Sequence, residues 1–301
     1  MRALVVDHSA PGRLALGTVA DPEPGPDEVL VRISAISLSY GELPKSDDVA
    51  EGAVPGWDAA GVVERAAANG RGPKPGDRVI IWGRNAGWAE LRAVPVDELA
   101  VLPDAVDFTA AAALPVAGLT ALRALRTAGV RPGQRVAITG ASGGVGRFAV
   151  QLAHQAGAEV YAFVGSPARG AGLAELGADH VLTDPAGLDE PVDVVLDNVG
   201  GSLLGELLGR TAPEGTVISI GATSGEPTPI QPYQLILGRL RLIGIQAGGN
   251  TGADLAHLVR LVAEGRLEAS VDRVADWEQA GKTATALLNR EIRGKAVLTL
   301  G

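Results

Sequence analysis

"ITGASGGVGRFAVQLAHQAGAEVYAFVGS" runs from Ile138 to Ser166 and crowds four glycines into its first third. An apolar strand pattern, "RVAIT", leads into it, and a long helical pattern follows. Backbone this flexible between a strand and a helix either lets something approach the main chain or only turns a corner. The spacing points to the approach. It is the G-x-G-x-x-G pattern with its first glycine replaced: Ala141-x-Gly143-x-x-Gly146, with Ser142, Gly144 and Val145 filling the gaps. A glycine at 143 leaves room for a pyrophosphate, and one at 146 lets helix and strand pack closely. Amide N–H groups at the start of the helix then face the phosphates.

The next strand selects the dinucleotide. NAD sites carry an Asp or Glu roughly 20 residues on, which accepts from the ribose 2′-hydroxyl. Here "EVYAFVGSPARG" closes its strand with Gly165 and Ser166, and Glu159 lies at the wrong end. Arg169 is close enough in sequence to meet a 2′-phosphate, which suits a guanidinium. The expected cofactor is therefore NADPH; the alternative for Arg169 is a solvated residue at a helix start.

Working outward, the pattern alternates: "DHVL", "VDVVLD" and "GTVISIG" read as strands, with helices at "AGLAEL" and after Gly201. Alternation of this kind predicts a parallel sheet covered by helices on both faces. "LRLIGI" (Leu240–Ile245) is a further strand and "GADLAHLVRLVAEG" a further helix. Upstream, "DFTAAAALPVAGLTALRALRTAG" reads as two helices parted by Pro115, with Gly129 as the stop. The first hundred residues are different, with short strands such as "EVLVRISAIS" (Glu28–Ser37) broken by Pro and Gly. The last thirty residues return to that style. The fold class is α/β: a β-rich domain from both chain ends (1–115 and 266–301) and a dinucleotide-binding domain between them (116–265).

Composition narrows the function. The 301 residues have a formal charge of −9, which argues against nucleic acid or an anionic membrane as partner. No cysteine is present, which removes disulfides, zinc–cysteine sites and thiol nucleophiles, and fits a reducing cytoplasm. "MRALVVDHSA" is too short an apolar run for a secretory signal, and no stretch of about 20 apolar residues suggests a membrane span.

The order of motifs resembles the medium-chain dehydrogenase/reductase superfamily, in its zinc-free quinone oxidoreductase branch. The matching stretches are "AISLSYGE" (Ala35–Glu42), "PGWDAAGVV" (Pro55–Val63), "PGDRV" (Pro75–Val79) and "GWAE" (Gly87–Glu90). They continue through "LPVAGLTALRAL" (Leu114–Leu125), "ITGASGGVG" (Ile138–Gly146), "DNVGG" (Asp197–Gly201) and "GKAVL" (Gly294–Leu298). The resemblance implies a GroES-like β domain, a Rossmann domain, and a homodimer formed through the edge strand near Leu240–Ile245.

Zinc-dependent relatives carry a cysteine where this chain has Ser39–Tyr40, and Gly-His-Glu where it has Gly56-Trp57-Asp58. Their cysteine-rich lobe is missing between Ala93 and Pro103. No metal is expected. Quinone oxidoreductase relatives have Asn at Ser39, and serine lacks the amide's two donors.

With no metal or nucleophile, catalysis rests on positioning. As hydride reaches carbon, charge grows on the oxygen of a quinone or α,β-unsaturated carbonyl, and that oxygen needs a donor. The candidates are Tyr40 and Ser39, with Tyr40 alternatively a packing aromatic. Asp58 either positions substrate or satisfies a turn. Thr120 is expected near the nicotinamide, or else is a helix-start residue facing its neighbours. Asn198, Gly200, Gly221 and Ala222 follow strand ends and are expected to floor the cofactor, the glycines alternatively being simple turn formers. Lys295 either touches a cofactor phosphate or is a solvated lysine. The loops "GELPKSDDVAEGAVP" (Gly41–Pro55) and "EPTPIQPYQLI" (Glu226–Ile236) border the small-molecule acceptor but match no substrate rule. The expected function is thus NADPH-dependent reduction of a quinone or enone. A pathway-specific enoyl-thioester or imine reductase, and an NADPH-binding sensor without turnover, are the alternatives.

Overall fold

The chain opens on a two-stranded antiparallel ribbon, β1 (Arg2–Val6) with β2 (Leu14–Thr18). Five strands follow: β3 (Glu28–Leu38), β4 (Asp58–Arg65), β5 (Arg78–Trp82), β6 (Leu91–Pro95) and β7 (Leu99–Val101). Helix α1 (Phe108–Ala113) is capped by the Asp107 carboxylate, which accepts from the Ala110 N–H at 2.8 Å. Pro115 then starts α2 (Pro115–Ala128), and Gly129, in the left-handed region, ends it.

The alternating segment comprises β8 (Arg135–Thr139), α3 (Gly144–Gln155), β9 (Glu159–Phe163), β10 (His180–Leu182), β11 (Val192–Asp197) and α4 (Gly201–Gly209). It continues with β12 (Thr211–Ser219), α5 (Pro232–Gly238) and β13 (Arg241–Gly244). The chain closes with α6 (Gly252–Ala263), β14 (Val271–Asp276), α7 (Ala280–Leu288) and β15 (Lys295–Thr299). This computed structural model describes residues 1–44, 48–84 and 86–301. Lys45, Ser46 and Asp47 of the expected acceptor loop lie outside the described residues, as does Asn85. Among the described residues no helix is long and apolar enough to cross a membrane.

Two compact units result: Met1–Leu119 with Gly248–Gly301, and Thr120–Ala247. The return into the first unit thus falls earlier than the expected boundary at 265/266, because α6 packs there. A Cβ on Gly252 would stand 2.8 Å from the Leu99 carbonyl oxygen, and the Leu258 side chain lies against Gly118.

In the first unit the sheet runs β14-β15-β3-β4-β5-β7, with β6 also on β3. Apart from the parallel pair β14–β15, its pairings are antiparallel. Alternate residues of β3, among them Val29, Val31 and Ile33, enter a core that Trp88 and Trp277 help to fill. The Trp88 indole N–H donates to the Ser37 carbonyl at 3.1 Å, which lets so large a ring be fully buried.

The second unit is a six-stranded parallel sheet in the order β10-β9-β8-β11-β12-β13, the order of a Rossmann fold. Its centre, β8 beside β11, is where the direction of winding reverses. Phe148, Ala149 and Leu152 of α3 are buried. The expected helix through "AGLAEL" is absent. A 3-10 turn (Pro167–Gly170) leads instead into successive turns, with Gly172 and Gly177 in the left-handed region. Glycines cost about 1 kcal/mol each in a helix and here take backbone angles that a helix cannot use.

Candidate functional site

The sheet register of the first unit assembles a buried polar cluster. β3 lies between β15 and β4 and pairs antiparallel with both: Ala296 with Leu38 on one side, Ala59 with Ile36 on the other. One step beyond each pair come Lys295 against Ser39 and Asp58 against Ser37. Ser37, near the end of β3, and Ser39, one residue past it, both turn toward these partners.

The contacts follow from that register. Lys295 Nζ lies 2.6 Å from Ser39 Oγ and 3.2 Å from Asp58 Oδ2. Asp58 Oδ2 also accepts from the Ser37 hydroxyl at 2.9 Å, and Oδ1 accepts from the Val116 N–H at 2.8 Å. Burial pushes the Asp58 carboxyl up, while Lys295 beside it pulls the other way. Asp58 is 0% exposed and Lys295 2%.

Two further charges complete a quartet. Glu42 takes the Ser39 N–H on one carboxylate oxygen and the Trp57 N–H on the other, each at 2.7 Å. Burial first, and Asp58 second, push its carboxyl up to about 8. Arg92, from β6, donates to the Trp57 carbonyl at 3.1 Å, and burial lowers its guanidinium to about 10. Two carboxyl groups and two cationic side chains therefore lie together inside the unit, with Glu42 favouring its neutral form. Ser39, Tyr40 and Trp57 are half-buried at the cluster's edge.

Asp58 has no exposed surface, and its carboxylate is taken up by Ser37, Lys295 and the Val116 N–H, as in the alternative that it satisfies backbone. Lys295 is neither solvated nor turned toward a phosphate, because its ammonium is held by Ser39 and Asp58. Glu42 and Arg92 were not singled out in the sequence. Glu42 sits in the quoted "AISLSYGE", but nothing in one dimension shows it bridging to Trp57.

The second unit brings the glycine-loop residues together. Gly140 takes the left-handed conformation (φ 61°), so the replacement at Ala141 is free of strain. The Ala141 N–H donates to the Phe163 carbonyl and the Gly143 N–H to the Gly140 carbonyl. A Cβ on Gly146 would strike the Gly140 carbonyl and stand 2.5 Å from Ala141 Cα. That helix must start against bare backbone. Gly143 caps α3 without a side-chain bond, so the first N–H groups of α3, from Gly144 onward, keep their donors.

The strand ends beside this loop form one floor. Asp197, buried at the end of β11, accepts from the Thr139 hydroxyl at 2.7 Å and from the Gly200 N–H at 2.9 Å. Asn198 Nδ2 donates to the Thr139 carbonyl at 2.8 Å. Cβ atoms built on Gly140 and Gly221 would meet Asn198, and one on Gly200 would meet Ala222. Asn198, Gly200, Gly221 and Ala222 thus lie beside one another; Asp197, which anchors them, is not among the residues the sequence points to. Thr120 is 7% exposed within α2.

Arg169 Nε donates to Ser142 Oγ at 3.0 Å, which fixes the guanidinium over the glycine loop. Gly165 is exposed, with no atom within 4 Å of a built Cβ, and Ser166 is half-buried. A groove of about 500 Å³, lined by Val164, Pro167, Leu182 and Asp184, borders the turn that carries Arg169. The Asp184 carboxylate caps the Ala186 N–H at 2.7 Å. These residues suit a phosphorylated adenosine ribose: bare backbone for the diphosphate, a guanidinium at the turn, and no acid closing β9.

No three His, Asp or Glu side chains are grouped for a metal among the described residues. The histidines are dispersed: His8 lies by Glu51, His154 by Gly177, His180 by Glu159 and His257 by Arg260.

Comparison with known proteins also finds two regions, the second of which runs on through α6. Residues 25–104 match the alcohol dehydrogenase GroES-like domain, and residues 144–264 match the zinc-binding dehydrogenase domain. The spectinabilin polyketide synthase system protein NorB of Streptomyces orinoci is 35% identical over 91% of this chain. The chain spans only 13% of NorB's length. Acrylyl-CoA reductase AcuI of Ruegeria pomeroyi is 30% identical, over 81% of this chain and 80% of that protein. The quinone oxidoreductase of Coxiella burnetii superposes with a TM-score of 0.88 at 26% identity, covering 100% of this chain and 99% of that one.

Proposed function

The chain belongs to the medium-chain dehydrogenase/reductase superfamily, among its quinone oxidoreductase-like members, and from that premise we propose that this oxidoreductase is a metal-free, NADPH-dependent reductase of quinones or α,β-unsaturated carbonyls. The observation that carries the cofactor choice is Arg169 fixed on Ser142 beside a strand end that has no acid. When bound, the reduced nicotinamide supplies the hydride.

The protein's own residues do the rest. Main-chain N–H groups from Gly144 to Gly146 bind the diphosphate. Arg169 and Ser166 take the 2′-phosphate. Asn198, Gly200, Gly221 and Ala222 support the nicotinamide half, with Thr120 as a hydroxyl partner. Ser39 and Tyr40 offer donors to the acceptor oxygen. The positions where zinc-dependent relatives hold ligands carry Ser39 and Asp58, a hydroxyl and an already paired carboxylate. That set supports chemistry without metal.

A second reading keeps the hydride and changes the acceptor to an enoyl thioester; the similarity to acrylyl-CoA reductase AcuI favours it. Loss of the near-ultraviolet absorbance of reduced cofactor, followed over a panel of quinones, enones and enoyl thioesters, tests both readings. We expect turnover with NADPH, and an Arg169→Ala variant whose NADPH Kd rises about 10–100-fold while its NADH Kd moves little. No acceptor reduced by either cofactor would sink the function; an unchanged NADPH Kd in Arg169→Ala would sink the cofactor choice.

A further inference from the structure

The Ser39 hydroxyl is gripped from behind. Lys295 Nζ is 2.6 Å from its oxygen. An ammonium has three N–H donors and no lone pair, so the bond runs from Lys295 to Ser39. It occupies an oxygen lone pair and leaves the one O–H of Ser39 without an acceptor: among the described residues, Lys295 is the partner of that oxygen.

The groups around it are fixed. The Ser39 N–H donates to Glu42, and the Ser39 carbonyl accepts from the Glu42 N–H at 3.1 Å. Lys295 is held by Asp58 from β4, and the charges facing the pair are Glu42, from the loop after β3, and Arg92, from β6. Ser39 itself is half-buried, at the edge of an otherwise closed cluster. A hydroxyl whose oxygen already accepts from a cation is a stronger donor than one alone.

We propose that Lys295, held by Asp58, turns the Ser39 hydroxyl outward as a one-way hydrogen-bond donor to the carbonyl oxygen of the acceptor. Lys295 is then a positioning residue that works through Ser39. This rests on the reductase reading and gives the serine a role that the usual asparagine amide would fill with its own N–H. No proton leaves Lys295. The hydroxyl stabilises the oxygen that gains charge while hydride arrives at the conjugated carbon.

The test measures kcat, KM and cofactor Kd for Ser39→Ala, Lys295→Met, Asp58→Asn/Lys295→Met, and these lysine changes combined with Ser39→Ala. The double variant removes both buried charges, so it leaves no lone charge to unfold the protein. Ser39→Ala is expected to lower kcat about 100-fold with cofactor Kd unchanged. The double variant should lose a similar factor, and adding it to Ser39→Ala should cost nothing further. Wild-type kcat in Ser39→Ala overturns the proposal. So does a lysine change that keeps its full effect when the hydroxyl is gone.

A second readout needs no turnover. 4-Nitrophenol carries its negative charge on oxygen, and its apparent pKa on the protein should fall by about one unit or more. That fall should vanish in Ser39→Ala and in the double variant. The shift without reduction of any acceptor sinks the reductase reading alone. Turnover with no shift and no effect of Ser39→Ala sinks this one alone.

Discussion

Glu42 receives two backbone N–H groups, which favour its charged form, yet burial outweighs them and pushes its carboxyl up to about 8. A folded-state value above the unfolded 4.5 means that the native protein binds the extra proton. The stability this adds is fully present below about pH 4.5 and is lost as pH rises through about 8, on the order of a few kcal/mol. Asp58 shifts in the same direction. Urea denaturation from acid to mildly alkaline pH should therefore show falling stability, and Glu42→Gln should make the fall shallower. Identical slopes in the two proteins would refute this. Ser39 and Tyr40 were legible as candidates because they sit in a motif. The pairing of Lys295 was not readable, since its partner Asp58 is 237 residues away and only the register of β3 brings them together.

At the level of elements, the strand–loop–helix from β8 to α3 was legible because local spacing alone specifies it. Its two glycines do different work, and substitution separates them. Gly146→Ala puts a methyl group onto the backbone of Gly140 and Ala141, which cannot yield. We expect a loss of about 1–3 kcal/mol in stability, read by thermal melting. Gly143→Ala meets only the Gly140 carbonyl oxygen at 3.3 Å, and its φ of −86° suits any residue. It should fold within about 0.5 kcal/mol of the wild type and still weaken NADPH at least about tenfold. A full-affinity Gly143→Ala protein would mean that the diphosphate does not pack on that face. The element misread, "AGLAEL", failed for the opposite reason: its apolar spacing is helical, but Gly172 and Gly177 override it. The position of α6 was also hidden, because its packing on β7 depends on contacts far apart in sequence.

At the scale of the whole molecule, β13 ends its sheet and, among the described residues, has one edge without a strand partner. Beside it α5 exposes Tyr233 at 71%, Ile236 at 64% and Leu237 at 73%. We propose that two copies pair through β13, which would extend the sheet across a two-fold axis and cover these side chains. Light scattering should give a dimer mass. Leu237→Glu combined with Leu242→Asp should give a monomer with unchanged circular dichroism, and a monomeric wild type would refute the pairing. The two-unit plan was legible from the change of pattern near Asp107 and its return near the end.

That plan also orders events in time. Every strand of the parallel sheet lies between Arg135 and Gly244, so all of it is synthesised before β14 and β15. The other sheet waits for β15, which lies between β14 and β3, to be synthesised more than 250 residues after β3 begins. Until Lys295 arrives, the nascent chain holds Asp58 without its counter-ion.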